Sequence, residues 1–411
     1  MRRLRQRVLI LFAILPLILT TGCWDSSEVN DLALEMAWGL DAAQDDGVMV
    51  SAQVIVPSRI GSAQGSSGSG GGGGQGKPYF VATGIGKDTL DAVQQMQTGL
   101  SRQVFRAHRR VIVIGEALAR RGLQEVLDTY SRDPNLKLRS DIFIVKGGTA
   151  KAFLNVAYPL EDIPGLGALK EYDQIGALKE MGLINLMISA ISDGNCPALP
   201  VIAMGMDTGE QEGEAQTQGN ASGEKGFRIN GTSIFGNDLK LLGYIDTREG
   251  RLLRWIKGEL GKLIVTGDIP EQGGSISMDL NKLNSKIRPI FEGDKIKFQV
   301  KLTGQGMVRE NNTRLDLSQP HNLALVREVL EKQIEASADR IIAKVQEKFG
   351  ADVFEFGGAI HRKYPTRWAS LKDDWDREFR KAEVSVKAEL VIRKIGVTGP
   401  PLHLKERNIQ K

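Results

Sequence analysis

The strongest constraint on this chain lies late in it, between Ser318 and Phe349. Val326, Val329, Leu330, Ile334, Ala338, Ile341, Ile342, Val345 and Phe349 recur at three- and four-residue spacing, the period of one face of a helix. Glu331, Glu335, Lys332 and Arg340 mark the opposite, solvated face. Ser318 reads as the cap and Pro320 suits the first turn. A helix of about 30 residues runs roughly 45 Å. No heptad is sustained, so the helix must lie along a sheet rather than in a coiled coil. Strands are available on both sides. Ile296, Phe298, Val300 and Leu302 alternate with Lys297, Gln299 and Lys301, and Glu292-Gly293-Asp294 turns that strand back onto Ser285–Ile290. Val384, Val386, Ala388, Leu390 and Ile392 alternate within Glu383–Ile395. Hairpin, helix and strand in that order give an antiparallel-sheet α+β layout.

The N-terminal half has a different rhythm. Ala33–Leu40 and the β-branched run Val48–Val56 are expected to pair across the Gln44–Gly47 turn. Phe80–Gly84, Val111–Ile114, Asp141–Val145 and Leu199–Ala203 read as further strands. Helices are expected from Asp88 or Thr89 (with Leu90, Val93, Met96, Gln97 and Leu100 on one side), over Ala117–Tyr130, from Thr149 to Val156, and as two pieces within 158–192. Strand–helix alternation indicates a mixed α/β domain. Gly61–Gly76 reads as a flexible loop, and Asp207–Lys225, without Leu, Ile or Val, as a linker. Beyond it Phe227–Phe235 and Leu239–Ile245 form a strand pair, Leu252, Leu253, Trp255 and Ile256 an apolar stretch, and Leu263–Val265 and Ile276–Met278 short strands. The expected organisation is a multidomain α+β chain. Its segments are a leader over 1–22, an α/β domain over 23–206, a linker over 207–226, an α+β region over 227–400 and a tail over 401–411. Residues 227–273 are open to two assignments, as a small domain or as part of the last one.

The leader combines Arg2, Arg3, Arg5 and Arg7 with an apolar run from Val8 to Leu19. That is the design of a secretory signal, too short for a spanning helix of roughly 20 residues. It ends in Thr20-Thr21-Gly22-Cys23, the pattern of a bacterial lipobox: cleavage between Gly22 and Cys23, with Cys23 taking a diacylglycerol on sulfur and an acyl chain on its new amino group. The formal charge of +4 resides wholly in this leader, because the rest holds 50 basic and 50 acidic residues. A near-neutral mature chain removes the argument for nucleic-acid binding. With Cys23 lipidated, Cys196 has no partner and no disulfide is expected.

Catalytic signatures are wanting. Gly71–Lys77 has phosphate-loop spacing, but Pro78 stands where Ser or Thr is needed, and Gly84-Ile85-Gly86 lacks the third glycine of a dinucleotide turn. His108, His321, His361 and His403 fall in no metal spacing. His361 near Asp352 and Glu355 reads as structural, and Asp373, Asp374 and Asp376 lack calcium-loop spacing. Neither an enzyme nor a cofactor is expected.

One stretch carries a family resemblance: Ala351-Asp352-Val353-Phe354-Glu355-Phe356-Gly357, then His361-Arg362-Lys363-Tyr364-Pro365, Trp368, Trp375 and Phe379. With Gly22-Cys23-Trp24-Asp25, Glu28–Ala33, Arg132-Asp133-Pro134 and Leu199-Pro200-Val201-Ile202, it resembles the Ger(x)C family, the GerAC-like lipoprotein C subunits of spore germinant receptors. Thr20 and the Gly61–Gly76 tract depart from the family pattern. The resemblance implies a non-enzymatic, lipid-anchored protein on the outer face of the spore inner membrane, acting with membrane A and B subunits in the response to nutrients. It transfers one site residue, Cys23, and no ligand-binding residue. Tyr364, Trp368 and Trp375 read first as packing residues of the last domain and second as partner contacts. The rival reading is a solute-binding lipoprotein of an importer, which calls for two similar lobes about a cleft.

Overall fold

The computed structural model describes residues 31–59, 77–132, 138–177, 182–205, 226–401, 405, 409 and 410. Cys23, the Gly61–Gly76 tract and the expected 207–225 linker lie outside the described residues.

The first sheet is built from β1 (Leu32–Ala42), β2 (Val48–Ile55), β3 (Tyr79–Gly86), β4 (Gln103–Phe105), β5 (Val111–Gly115), β6 (Asp141–Lys146), β7 (Ala198–Met204), β8 (Phe227–Phe235) and β9 (Leu241–Ile245). Its order is β3-β2-β1-β5-β6-β7-β8-β9, with β4 beside β1. The centre, β1-β5-β6-β7, is parallel and both flanks are antiparallel. Every residue of β5 is buried, as expected of a parallel strand covered on both faces. Asp45 and Asp46, both with positive φ, make the tight turn between β1 and β2.

Three helices, α1 (Thr89–Thr98), α2 (Glu116–Arg121) and α3 (Gln124–Arg132), cover one face through Ala92, Met96, Leu118, Val126 and Tyr130. On the other face α4 (Ala150–Asn155) and α5 (Pro164–Gln174) bring Phe153, Leu154, Ala168 and Tyr172 against Val113 and Phe143. Next, α6 (Gly182–Ile191) returns Leu183 and Leu186 to the first face. Two expectations change here. The helix expected over Ala117–Tyr130 is two helices, because Gly122 adopts φ +129 between them. In α1 the buried residues are Thr89, Ala92 and Met96, while Leu90 is 67% exposed.

The second unit consists of α7 (Thr247–Lys257), β10 (Lys262–Ile269), β11 (Gly274–Glu292), β12 (Lys295–Asn311), α8 (Pro320–Lys344), α9 (Phe356–Lys363), α10 (Pro365–Leu371), α11 (Trp375–Lys381) and β13 (Glu383–Lys394). A π-turn over Val345–Phe349 continues α8. The sheet order is β10-β11-β12-β13. Three strands are antiparallel as expected, but β13 pairs with β12 in parallel, since the chain between them crosses back as helices. Val326, Leu330, Ile334, Ala338, Ile341 and Ile342 of α8 are the buried face. The same helix closes both sheet edges. Glu335 and Glu331 accept the backbone N–H of Ala388 and Leu390 on β13 at 2.9 and 2.7 Å, and Gln333 donates to the Thr266 carbonyl on β10 at 2.7 Å. Edge groups so occupied are not open to another strand.

Ser318 does not cap α8. Asp316 accepts from its backbone N–H and hydroxyl instead, leaving Gln319 at the N-cap with no side-chain bond. The strand pair 227–245, expected beyond the linker with the C-terminal region, extends the first sheet. β7 and β8 hydrogen-bond side by side, so the expected division at 207–226 falls between neighbouring strands. Ile234 of β8 joins the second core and Phe235 the first.

Candidate functional site

The aromatics singled out in the sequence gather around the carboxylate of Asp352. It accepts from the backbone N–H of Phe354, Phe356 and Gly357 and from Nε1 of Trp375, at 2.7–3.2 Å. Burial pushes its pKa up to about 6, against the pull of those four donors. Trp368 and Trp375 meet edge to face at 5.3 Å and are 2% and 1% exposed. Gly194, at φ +69, lies against both indoles, and the Cys196 N–H bonds to the Asp352 carbonyl at 2.9 Å. The turn before β7 is thus fastened to the C-terminal core. Trp368 and Trp375 are interior, so the partner-contact reading is withdrawn for them. Tyr364, half-buried, meets the Phe291 ring at 5.2 Å.

His361 stacks on Trp368 at 6.2 Å, while Asp352 is spent on its backbone donors, so the imagined His–carboxylate pair is not assembled. Cys196 is free and buried, and burial pushes its thiol up. Among the described residues no group of three or more His, Cys, Asp or Glu side chains could hold a metal. Gly84 and Gly86 let α1 approach β3: a Cβ would lie 2.1 Å from the Ala92 carbonyl oxygen at the first and 2.3 Å from the Ala92 nitrogen at the second.

A second concavity lies elsewhere, among the described residues of the N-terminal unit. A cleft of about 950 Å³ opens between the start of α1 and the length of α3. Its floor comes from β1 and from the segment that precedes β5. Glu35, fully buried on β1, is paired through both carboxylate oxygens with Arg109, one contact being Nη2 to Oε2 at 3.0 Å. The Arg109 guanidinium lies 4.2 Å over the Trp38 ring and donates to the Tyr130 hydroxyl at 3.3 Å. Burial raises the Glu35 pKa, opposed by Arg109. Burial pulls Arg109 down, but Glu35 and Tyr130 outweigh it and hold the guanidinium charged. Arg106 lines the same floor and acts on Glu35 through its charge. Leu90 and Val93 form one wall, and α3 presents Gln124, Glu125, Asp128 and Thr129 on the other.

Sequence reasoning did not find this cleft. A signal was present: Glu35 stands alone in the apolar run Leu32–Leu40, and a carboxylate there requires a buried cation.

Residues 25–204 match the family model described as "Spore germination protein N-terminal domain", and residues 230–396 match "Spore germination B3/ GerAC like, C-terminal". Among curated proteins of Bacillus subtilis (strain 168), the chain is similar to spore germination protein KC. The two are 25% identical over 406 residues, which cover 97% of this chain and 98% of the relative. It is also similar to spore germination protein B3, at 24% over 393 residues, 93% of this chain and 96% of the relative. A solved structure, the crystal structure of the GerBC protein, shares the fold with a TM-score of 0.55 at 19% identity, covering 90% of this chain and 100% of that one.

Proposed function

The chain belongs to the GerAC-like family of spore germination proteins, and on that premise we propose that it is the lipid-anchored C subunit of a nutrient germinant receptor. Two family models in the correct order over most of the chain carry the reading. The first begins at residue 25, two residues beyond Cys23, where the mature chain would start. In this reading the signal is cut between Gly22 and Cys23, and the acylated cysteine holds both folded units on the extracytoplasmic side of the spore inner membrane. Its partners there are the polytopic A and B subunits. Among the described residues no helix is long and apolar enough to cross a membrane, and attachment through lipid needs none. One acyl chain anchors weakly, whereas two or more anchor stably at about 0.8 kcal/mol per buried CH₂. The protein contributes by binding and positioning, with no catalytic step assigned to it.

Fractionation of cells expressing Cys23→Ala tests the anchor. The variant is expected as a folded protein in the soluble fraction, with the wild type in membranes. Retention of the variant in membranes of a strain lacking the A and B subunits would refute the anchor. A gene deletion that alters solute uptake and leaves nutrient-triggered germination unchanged would favour the importer reading instead.

A further inference from the structure

The helix α6 leaves a stripe of large apolar residues exposed, and none of its residues is charged. Leu183 and Leu186 face the first core, and Asn185 donates to Glu259 of the second unit at 3.1 Å. Ile184, Met187, Ile188 and Ile191 fall at the i, i+3, i+4 and i+7 spacing of the remaining face. Ile184 and Met187 are half-buried, Ile188 is 49% exposed and Ile191 84%. Leu138, 43% exposed, stands two residues before Ser140, whose carbonyl accepts the Leu183 N–H at 2.9 Å. The exposed Arg139 lies between Leu138 and Ser140. The entrances of the parallel strands set the position of this stripe. α6 starts at Ser140, next to the first residue of β6, and Asn195, three residues before β7, donates to Ser189 at 3.3 Å. β1 enters the sheet from the same end. Ala37 lies level with Val111, the first residue of β5, and Val111 with Asp141, the first of β6. Leu32 stands five residues outside that level, about 17 Å at the usual rise of a strand. Cys23 precedes Leu32 by nine residues, a reach of at most about 30 Å. A lipid on Cys23 therefore holds this end of the first sheet toward the bilayer.

We propose that the exposed stripe of α6, together with Leu138, rests on the lipid bilayer that carries the anchor. Ile188 and Ile191 enter the boundary between headgroups and acyl chains, and Arg139 stays among the headgroups. The inference rests on the Cys23 anchor and deepens it: the acyl chains attach the protein, and the stripe fixes which end of the first sheet faces the membrane. A helix whose one face is apolar and whose other faces are packed in protein lies in the plane of the interface rather than across it. A few isoleucines hold a free protein to a bilayer only weakly, but they orient one that is already tethered beside it.

The test uses the acylated full chain, purified from membranes and reconstituted into vesicles of phosphatidylcholine and phosphatidylglycerol in equal parts. In that chain the Cys23 sulfur is occupied and Cys196 is buried, so Ile191→Cys or Ile188→Cys presents one thiol for an NBD dye. Ile85→Cys is the control, an isoleucine 61% exposed at the opposite end of the sheet, where Met49 pairs with both Ile85 and Asp41. Each substitution replaces an exposed side chain, and the melting temperature is expected to stay at that of the parent chain. Doxyl-labelled phosphatidylcholine is expected to quench the dye at 191 and at 188, with a blue shift of its emission, and to leave the dye at 85 unchanged. Flotation of the chain with the vesicles without quenching at 191 and 188 would overturn the proposal and leave the anchor standing. A blue shift without quenching would assign the stripe to a second copy of the chain and overturn it equally, as would equal quenching at 85. Failure of the acylated chain to float would overturn the anchor and the proposal together.

Discussion

Gly194→Ala isolates the contact that fastens the two units together. At φ +69 an L-residue in place of glycine costs roughly 1–2 kcal/mol. The added Cβ would also lie 2.4 Å from Cη2 of Trp368 and 2.6 Å from Cδ1 of Trp375. Both indoles are interior and Trp375 is held by its bond to Asp352, so neither can retreat freely. Overpacking of this kind costs about 1–3 kcal/mol, and the variant should lose about 3 kcal/mol in all. Gly147→Ala supplies the internal control. It has φ +68 but open space where its Cβ would go, so it should lose only the backbone share, about 1–2 kcal/mol. Urea unfolding of the chain from Trp24 onward, followed by tryptophan fluorescence and circular dichroism, gives both values. Equal losses in the two variants would refute the argument that Gly194 is required by the indoles.

Two further outcomes follow from buried charges. Folding raises the Asp352 pKa from 3.8 to about 6. Its contribution is therefore complete below about pH 4 and lost as pH rises through 6, a decline of about 3 kcal/mol. Urea unfolding between pH 4 and pH 7.5 should show this slope in the wild type and not in Asp352→Asn; equal slopes would refute it. Glu35→Gln leaves Arg109 buried with its charge unpaired, and should cost about 3–5 kcal/mol, measured the same way. A loss under 1 kcal/mol would show that the pair is not a fixed part of the cleft floor.

Much of the architecture was legible in the chain because periodicity and burial agreed there. The face of α8, the β1–β2 turn, the Thr149 cap of α4 and the alternation of β12 and β13 follow directly from residue spacing. Other features depended on partners distant in sequence. Residues 227–245 read as a self-contained strand pair, and only hydrogen bonding to β7 assigns them to the first sheet. β11 was expected as two short strands because its residues from Asn281 to Ser285 lose the alternation where the β11–β12 register shifts. α7 carried a readable signal, the reciprocal capping of Asp246 and Glu249, which its following apolar residues obscured. Trp368 and Trp375 read first as packing residues and only second as partner contacts, and their burial agrees with the first reading. They are buried among Phe298, Phe356 and Phe379 of their own core, with Gly194 of the other unit lying against both. The cleft depends on Glu35 meeting Arg109 across 74 positions, a pairing that local spacing does not encode.

The central claim is that this protein works in nutrient-triggered germination from a lipid anchor at Cys23. Spores of the parent organism lacking the gene, and the same spores complemented with the intact gene or with Cys23→Ala, should be challenged with a panel of nutrients while the fall in optical density is followed. The account predicts that the deletion abolishes at least one nutrient response, that the intact gene restores it, and that Cys23→Ala does not. A deletion that responds to every nutrient at the wild-type rate, or full restoration by Cys23→Ala, would contradict it.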